Sequence, residues 1–370
     1  MFSKGYKLFS SHTIFGMNQL YYDKKLKIMK NSKIRIMYSF LLVAIQSFAT
    51  IQETTSADNI KSEKSIILYR IDNICVGLTC VTGILLSCYF GEKIMKILRK
   101  MNKIKLMLIK NKDEDYFYIL LKLFLVGQFV VIIYDQYVWY CVNREIEFSS
   151  ITFSFCYLII AMMHIKFTDI VMNIATHFKS LNDVLLRNLE NLFGGKSKLN
   201  NTLNPRKGDV VQLLNLSKLI ENYQTLCNVI EEINQRNSSQ NLILVIYCFE
   251  QLICGPYYGF MNSLMFEKSN LGYHFVVSNC LWTLHEICRL LIFLWPCSYL
   301  EKQALATRKL LSEYLDPSKH NYCGELEIHI LKVTHSFKPL NVLQLFPLNL
   351  SLAVQVFGAA TTYLVIFIQI

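Results

Sequence analysis

Apolar runs long enough to cross a bilayer alternate along this chain with polar stretches in which apolar residues recur every three or four positions. Crossing about 30 Å of hydrocarbon takes about 20 helical residues, and such runs lie near residues 34–51, 66–90, 116–142, 148–173, 241–265, 271–299 and 348–370. The pattern predicts seven membrane helices. Past the fourth run, Phe167, Ile170, Val171, Ile174, Phe178, Leu181, Leu185 and Leu189 keep the helical step, so that helix continues out of the bilayer. Gly194-Gly195 is its expected stop and residues 196–209 read as a loose linker. A second stripe, Leu213, Leu216, Leu219, Ile220, Tyr223, Leu226, Ile230 and Ile233, leads into the fifth run. The polar faces of both extensions mix Asp, Glu, Asn and Gln with few basic residues, which suits a helical bundle better than an anionic lipid surface. Residues 300–315 are helical in pattern, Pro317 breaks them, and residues 324–337 resume. Pro347 sits where the last helix is expected to start, and residues 348–370 would then run about 34 Å.

Composition and charge refine this picture. With 53% hydrophobic and 18% charged residues among 370, the chain has too little polar surface for one soluble core. A net charge of +11 would suit a nucleic-acid partner, but the placement of Lys and Arg decides against one. Segments 1–33, 91–115, 174–240 and 300–347 hold seven, eight, eight and six of them, whereas 52–65, 143–147 and 266–270 hold two, one and one. By the positive-inside rule the N-terminus is cytoplasmic and the C-terminus, seven crossings later, extracellular. The expected organisation is a cytoplasmic N-terminus (1–33), helices one to four (34–173), a cytoplasmic helical anchor region (174–240), helices five and six (241–299), a cytoplasmic helical segment (300–347) and the last helix (348–370). Residues 1–33 lack an apolar core, so no cleavable signal peptide is expected. Most of the twelve Cys fall inside spans, where Cys behaves as a small apolar residue. The glycosylation-type triplets at Asn200, Asn215 and Asn237 fall in a cytoplasmic segment and should stay unmodified.

Charges inside spans cost about 2.5 to 3.5 kcal/mol each at a helix centre, so each needs a partner or a wet cavity. Arg70 and Asp72 near the outer end of the second span, and Asp135 and Tyr137 in the outer half of the third, join Tyr157, Tyr257, Tyr258, Trp282 and His285 as candidates for an outward-facing ligand pocket. Each of these aromatic residues, and Arg70, could instead belong to the interfacial belt. Trp282 is the exception, roughly 16 Å into its span and too deep for a belt. Glu286 and Arg289, three apart, read as a neutralising pair on one helix face, and Glu250 needs a polar or basic neighbour. Two motifs mislead. His285-Glu286 begins a His-Glu-x-x-His zinc site, but Arg289 occupies the second His position. Leu294-Trp295-Pro296 is a motif of G-protein-coupled receptors, yet it falls near the cytoplasmic end, no Asn-Pro-x-x-Tyr occurs in the seventh span, and the orientation is reversed. No cofactor or metal is expected.

The chain closes on Thr362-Tyr363, five apolar residues, Gln369 and Ile370. On a helix Thr362, Ile366, Gln369 and Ile370 share one face, as a pore lining or as polar glue between membrane helices, and Leu364 reads as lipid-facing. This ending resembles the C-terminal signature of insect gustatory receptors, with Ile370 in place of the usual Phe. The span count, short outer loops and long basic loop before the fifth span extend the resemblance over the whole chain. The resemblance implies a homo- or hetero-tetramer with other gustatory receptor subunits, joined by the cytoplasmic anchor. Its last helices surround a cation pore gated at Thr362, Tyr363, Ile366, Gln369 and Ile370. It further implies a small-molecule tastant, sugar or bitter compound, and the plasma membrane of sensory neurons. Terminal carboxylates at Ile370 would add cation preference at the outer mouth. Insect odorant receptor-type channels are the neighbouring alternative, since their pore helix is similar. A G-protein-coupled receptor would need an extracellular N-terminus, and a transporter or membrane enzyme lacks its repeats or catalytic residues.

Overall fold

A computed structural model describes residues 15, 20–23, 28–56, 63–104, 112–143, 148–193, 207–265, 270–314 and 336–369. Seven long helices dominate it: α1 (Lys33–Ser56), α2 (Glu63–Lys103), α3 (Lys112–Asn143), α4 (Phe148–Phe193), α5 (Lys207–Met265), α6 (Asn270–Tyr314) and α7 (Leu350–Gln369). Each contains a segment long and apolar enough to cross a membrane. Two small antiparallel hairpins complete the described elements. One pairs β1 (Leu20–Asp23) with β2 (Ile28–Asn31), and the other pairs β3 (Asn341–Val342) with β4 (Phe346–Pro347).

Helix α4 is central. In its most apolar stretch 78% of residues are buried, against 17% in α1 and 22% in α7. Its stripe of Ile159, Met163, Ile170, Ile174, Phe178, Leu181, Leu185 and Leu189 is buried throughout, so one apolar face runs from the bilayer into the extension, as the three-and-four spacing demands. Polar contacts pin the neighbours to it. Cys156 donates to Gln46 Oε1 of α1 at 2.9 Å, Asp169 accepts from the Tyr118 hydroxyl of α3 at 2.7 Å, and Asn182 donates to the Gln303 carbonyl of α6 at 2.9 Å. Lys100 of α2 pairs with Glu232 of α5 at 2.8 Å. The exposed faces of α1 and α3 carry Phe40, Leu41, Phe48, Leu123, Val130 and Ile133, an apolar surface that belongs against lipid.

Two expectations about boundaries change. The helix over 300–315 is no separate element, because α6 runs unbroken from Asn270 to Tyr314 through Pro296. Cys297, Leu300, Ala304 and Leu311 stay buried on one face, so the packing stripe never stops and the helix has no reason to. The segment around Pro317, most of the helix expected over 324–337, Gly194-Gly195 and most of the 196–209 linker lie outside the described residues. Pro347 does not start the last helix. It pairs with Asn341 in the second hairpin, and α7 begins at Leu350, whose N–H donates to the Ser298 hydroxyl of α6 at 2.7 Å.

That hairpin turns through Leu343 (φ 47°) and Gln344 (φ 61°), closed by a Leu345 N–H to Val342 carbonyl bond of 2.8 Å. Two successive positive φ values define a type I′ turn, which favours Asn and Gly. Helix α5 compensates for the unfavourable residues. The Ser238 hydroxyl accepts from the Leu343 N–H at 2.5 Å, and Asn234 Oδ1 accepts from the Asn341 N–H at 3.0 Å.

Candidate functional site

The pocket residues expected from sequence divide into two clusters in the half of the bundle that holds the short connections. In the first, α3, α4 and α6 converge. Asp135 accepts a hydrogen bond from the Ser278 hydroxyl at 2.7 Å, with the Trp282 side chain beside it. The Trp282 ring lies 4.7 Å from that of Tyr157. Three candidates from separate helices therefore meet at one point. The Tyr134 hydroxyl adds a contact of 3.1 Å to His274 Nδ1. One turn along α6, the His285 ring stacks on Phe124 at 4.4 Å.

The second cluster lies between α2 and α5. Asp72 is buried, and its Oδ1 accepts from Gln251 Nε2 at 2.5 Å, while the same amide donates to Glu250 Oε2 at 2.9 Å. Glu250 Oε1 also accepts from the Cys254 thiol at 2.8 Å. The polar neighbour that Glu250 required is thus an amide and a thiol. Tyr157 is within electrostatic reach of Asp135 of the first cluster and of Asp72 and Glu250 of the second. Arg70 is half-buried on α2. Tyr137, 53% exposed on α3, borders the first cluster, its ring 6.4 Å from that of Tyr134 and 6.5 Å from that of His274. Tyr257 packs with Cys254 beside the second and edge-on against Phe367 of α7, ring centres 6.3 Å apart.

Glu286 and Arg289 pair as their spacing predicts, at 2.9 Å and both about 1% exposed. Sequence did not reveal their other partners. Arg289 Nη1 donates to the Tyr247 hydroxyl of α5 at 2.8 Å, and Nη2 donates to Gln128 of α3. A mid-span Gln between apolar neighbours was the available signal for Gln128. Tyr247 gave none, because a tyrosine in an apolar run is also ordinary interior filling.

Helix α7 sorts its residues by face. Its buried residues are Leu352, Ala353, Val356 and Ala360, and Tyr363, Leu364 and Phe367 extend that side by packing on α5. The Tyr363 ring meets Phe249 at 5.9 Å, and Leu364 packs against the cluster of Leu68, Cys254 and Tyr257. Leu364 is therefore an interior contact, which corrects its reading as lipid-facing. At about 100° per residue, the opposite side carries Ser351, Gln355, Gly358, Thr362, Ile366 and Gln369, all exposed. Apart from Ile366 this stripe is polar or glycine, unlike the lipid-type faces of α1 and α3. Of the expected pore residues, Thr362, Ile366 and Gln369 share this outward stripe and Tyr363 faces α5. Ile370 lies outside the described residues.

Among solved structures, the chain is similar to the insect olfactory receptor OR5 from Machilis hrabei, with a TM-score of 0.69 and 12% identity over 99% of this chain and 98% of that one. The same receptor in complex with eugenol gives a TM-score of 0.66 and 14% identity, covering 98% of both chains. No curated protein sequence matches significantly. Identities this low carry the fold alone. The model of the 7tm chemosensory receptor family, however, matches residues 8–370, nearly the entire length, and the chain therefore belongs to that family of multi-pass membrane proteins.

Proposed function

We propose that this chain is a subunit of a gustatory-type, ligand-gated, non-selective cation channel of the plasma membrane of sensory neurons, opened by an extracellular small molecule such as a sugar or bitter compound. The observation that carries the reading is the outward stripe of α7. Polar side chains turned away from their own subunit on a membrane helix belong against water or another polar surface, and in a four-fold homo- or heteromeric assembly the stripes of four subunits would enclose an aqueous path. The Asp135, Tyr157 and Trp282 cluster supplies the aromatic wall and oriented polar group of a small-molecule site. Ligand binding there opens the pore through a higher affinity for the open state. Calcium imaging of cells expressing the chain alone, against sugars, bitter compounds and eugenol, tests the reading. Entry evoked by one class and absent from untransfected cells is expected, and no response from surface-expressed protein to any class weighs against a self-sufficient channel. An odorant receptor-type channel is the second reading, favoured by the likeness to a solved olfactory receptor bound to eugenol, and a response to eugenol alone would select it.

In the active class, Trp282→Ala raises the half-activating concentration by about 30-fold, the equivalent of a hot-spot aromatic of about 2 kcal/mol, with surface expression intact. An unchanged dose response moves the pocket away from Trp282. The orientation is tested separately. A tag before Met1 is reachable only after permeabilisation and one after Ile370 in intact cells, whereas both tags on one side would end the seven-crossing topology.

A further inference from the structure

One buried charged network touches both the ligand cluster and the helix that holds α7. On α6, Trp282, His285 and Arg289 fall on one face at helical spacing. The upper two belong to the candidate ligand wall, with His285 stacked on Phe124. The Arg289 guanidinium lies 5.9 Å from the centre of that same Phe124 ring, so the wall rests directly on it. Below the ring, Arg289 joins α6 to α3 through Gln128 and to α5 through the Tyr247 hydroxyl at 2.8 Å. The Tyr247 hydroxyl in turn reaches Glu286 Oε1 at 3.4 Å. On α5, Gln251 lies one turn from Tyr247 and holds Asp72, while Phe249, on the opposite face, contacts Tyr363 of α7.

The network is also unfinished. Glu286 Oε2, Arg289 Nε and Gln128 Nε2 are buried and have no hydrogen-bond partner among the described residues. Buried orphan groups are costly, and a network with unused donors and acceptors can take a second arrangement in which they pair. A packed element with two discrete arrangements is what energetic coupling between distant sites requires.

We propose that Arg289 is the positioning residue that couples the ligand wall to the pore helix: its bonds to Gln128 and Tyr247 make a shift of α6 against α3 into a shift of α5, and α5 carries α7 through Phe249. This deepens the channel reading and rests on it. The role is coupling, and none of these groups contacts ligand or ion.

A ligand-free test uses resting current in the Ile366→Ser background, whose gate is expected to leak. Trp282→Ala perturbs the ligand wall and shifts resting open probability by about fivefold or more, the lower end of allosteric coupling. Adding Tyr247→Phe, which removes one hydroxyl and keeps the ring, shrinks that shift below about twofold, and Gln128→Met does the same from the α3 side. Surface biotinylation normalises every variant, and Arg289→Lys, which keeps the charge and loses the forked geometry, leaves only part of the Trp282→Ala shift. The proposal is overturned by a Trp282→Ala shift that is the same with and without Tyr247→Phe and Gln128→Met, or by no shift at all, with the channel reading left standing. Absence of current from surface-expressed Ile366→Ser both at rest and under every ligand class removes the channel reading itself, and the coupling with it. Silence at rest alone removes Ile366 from the gate, and the same cycle is then read on ligand-evoked current.

Discussion

Ile366→Ser is expected to let the proposed channel pass current without any ligand. In the proposed assembly Ile366 is the large apolar residue on the otherwise polar or glycine outward stripe of α7, so four copies form an apolar ring between the rings of Thr362 and Gln369. A narrow apolar ring closes by dewetting, and a hydroxyl there lets water bridge it. Whole-cell recording at rest is expected to show a cation current at least about tenfold above the parent, the result of shifting the closed state by only about 1.4 kcal/mol. The same substitution at Leu364 acts differently. Leu364 packs on Leu68, Cys254 and Tyr257, so Leu364→Ser loses apolar contacts and lowers the amount of protein at the surface. A silent, well-expressed Ile366→Ser channel would remove Ile366 from the gate.

The second large effect is on folding. Arg289→Met leaves Glu286 buried beside Tyr247 without its cation, and breaking a buried pair on one side costs about 3 to 5 kcal/mol, against about 5 to 15 kcal/mol of total stability for an ordinary domain. Surface expression should fall several-fold. Removing both charges, Arg289→Met with Glu286→Leu, should recover most of it, because an apolar replacement of a buried ion pair is often neutral. Arg289→Met at parental surface level would show that the pair is dispensable for folding. The milder Tyr247→Phe keeps the ion pair, which lets coupling be measured in protein that reaches the membrane.

Much of the architecture was legible because membrane crossing imposes a length and a composition on every helix. The α4 stripe from Phe167 to Leu189 could be followed residue by residue for the same reason, since three-and-four spacing is a local property. The second hairpin was not legible. Its turn residues, Leu343 and Gln344, are poor type I′ formers, and the turn is held by Asn234 and Ser238 about a hundred positions earlier. Residues 300–315 were legible as helix, but not their continuity with the sixth span, because the composition turns polar there while the buried stripe through Ala304 and Leu311 runs on. Within the site, Trp282 could be singled out by depth alone. That Asp135 and Tyr157 would meet it, and that Tyr257 would also reach α7, depends on how separate helices rotate against each other, which spacing within one helix does not encode. Leu364 was misplaced for the same reason.

The outward stripe of α7 also bears on how such a subunit is made. Within a single copy the stripe of α4 is already buried by the chain's own helices. The last helix of that copy is left with Gln355 and Gln369 turned outward. In hydrocarbon their amides would lack partners, at a cost of several kcal/mol for each unsatisfied group, whereas Thr362 already bonds the Gly358 carbonyl of its own helix at 3.0 Å. Under the proposed arrangement that cost disappears once copies meet and water fills the space between them. The residues that line the ion path would therefore also penalise the solitary subunit, favouring assembly without any strongly adhesive membrane interface.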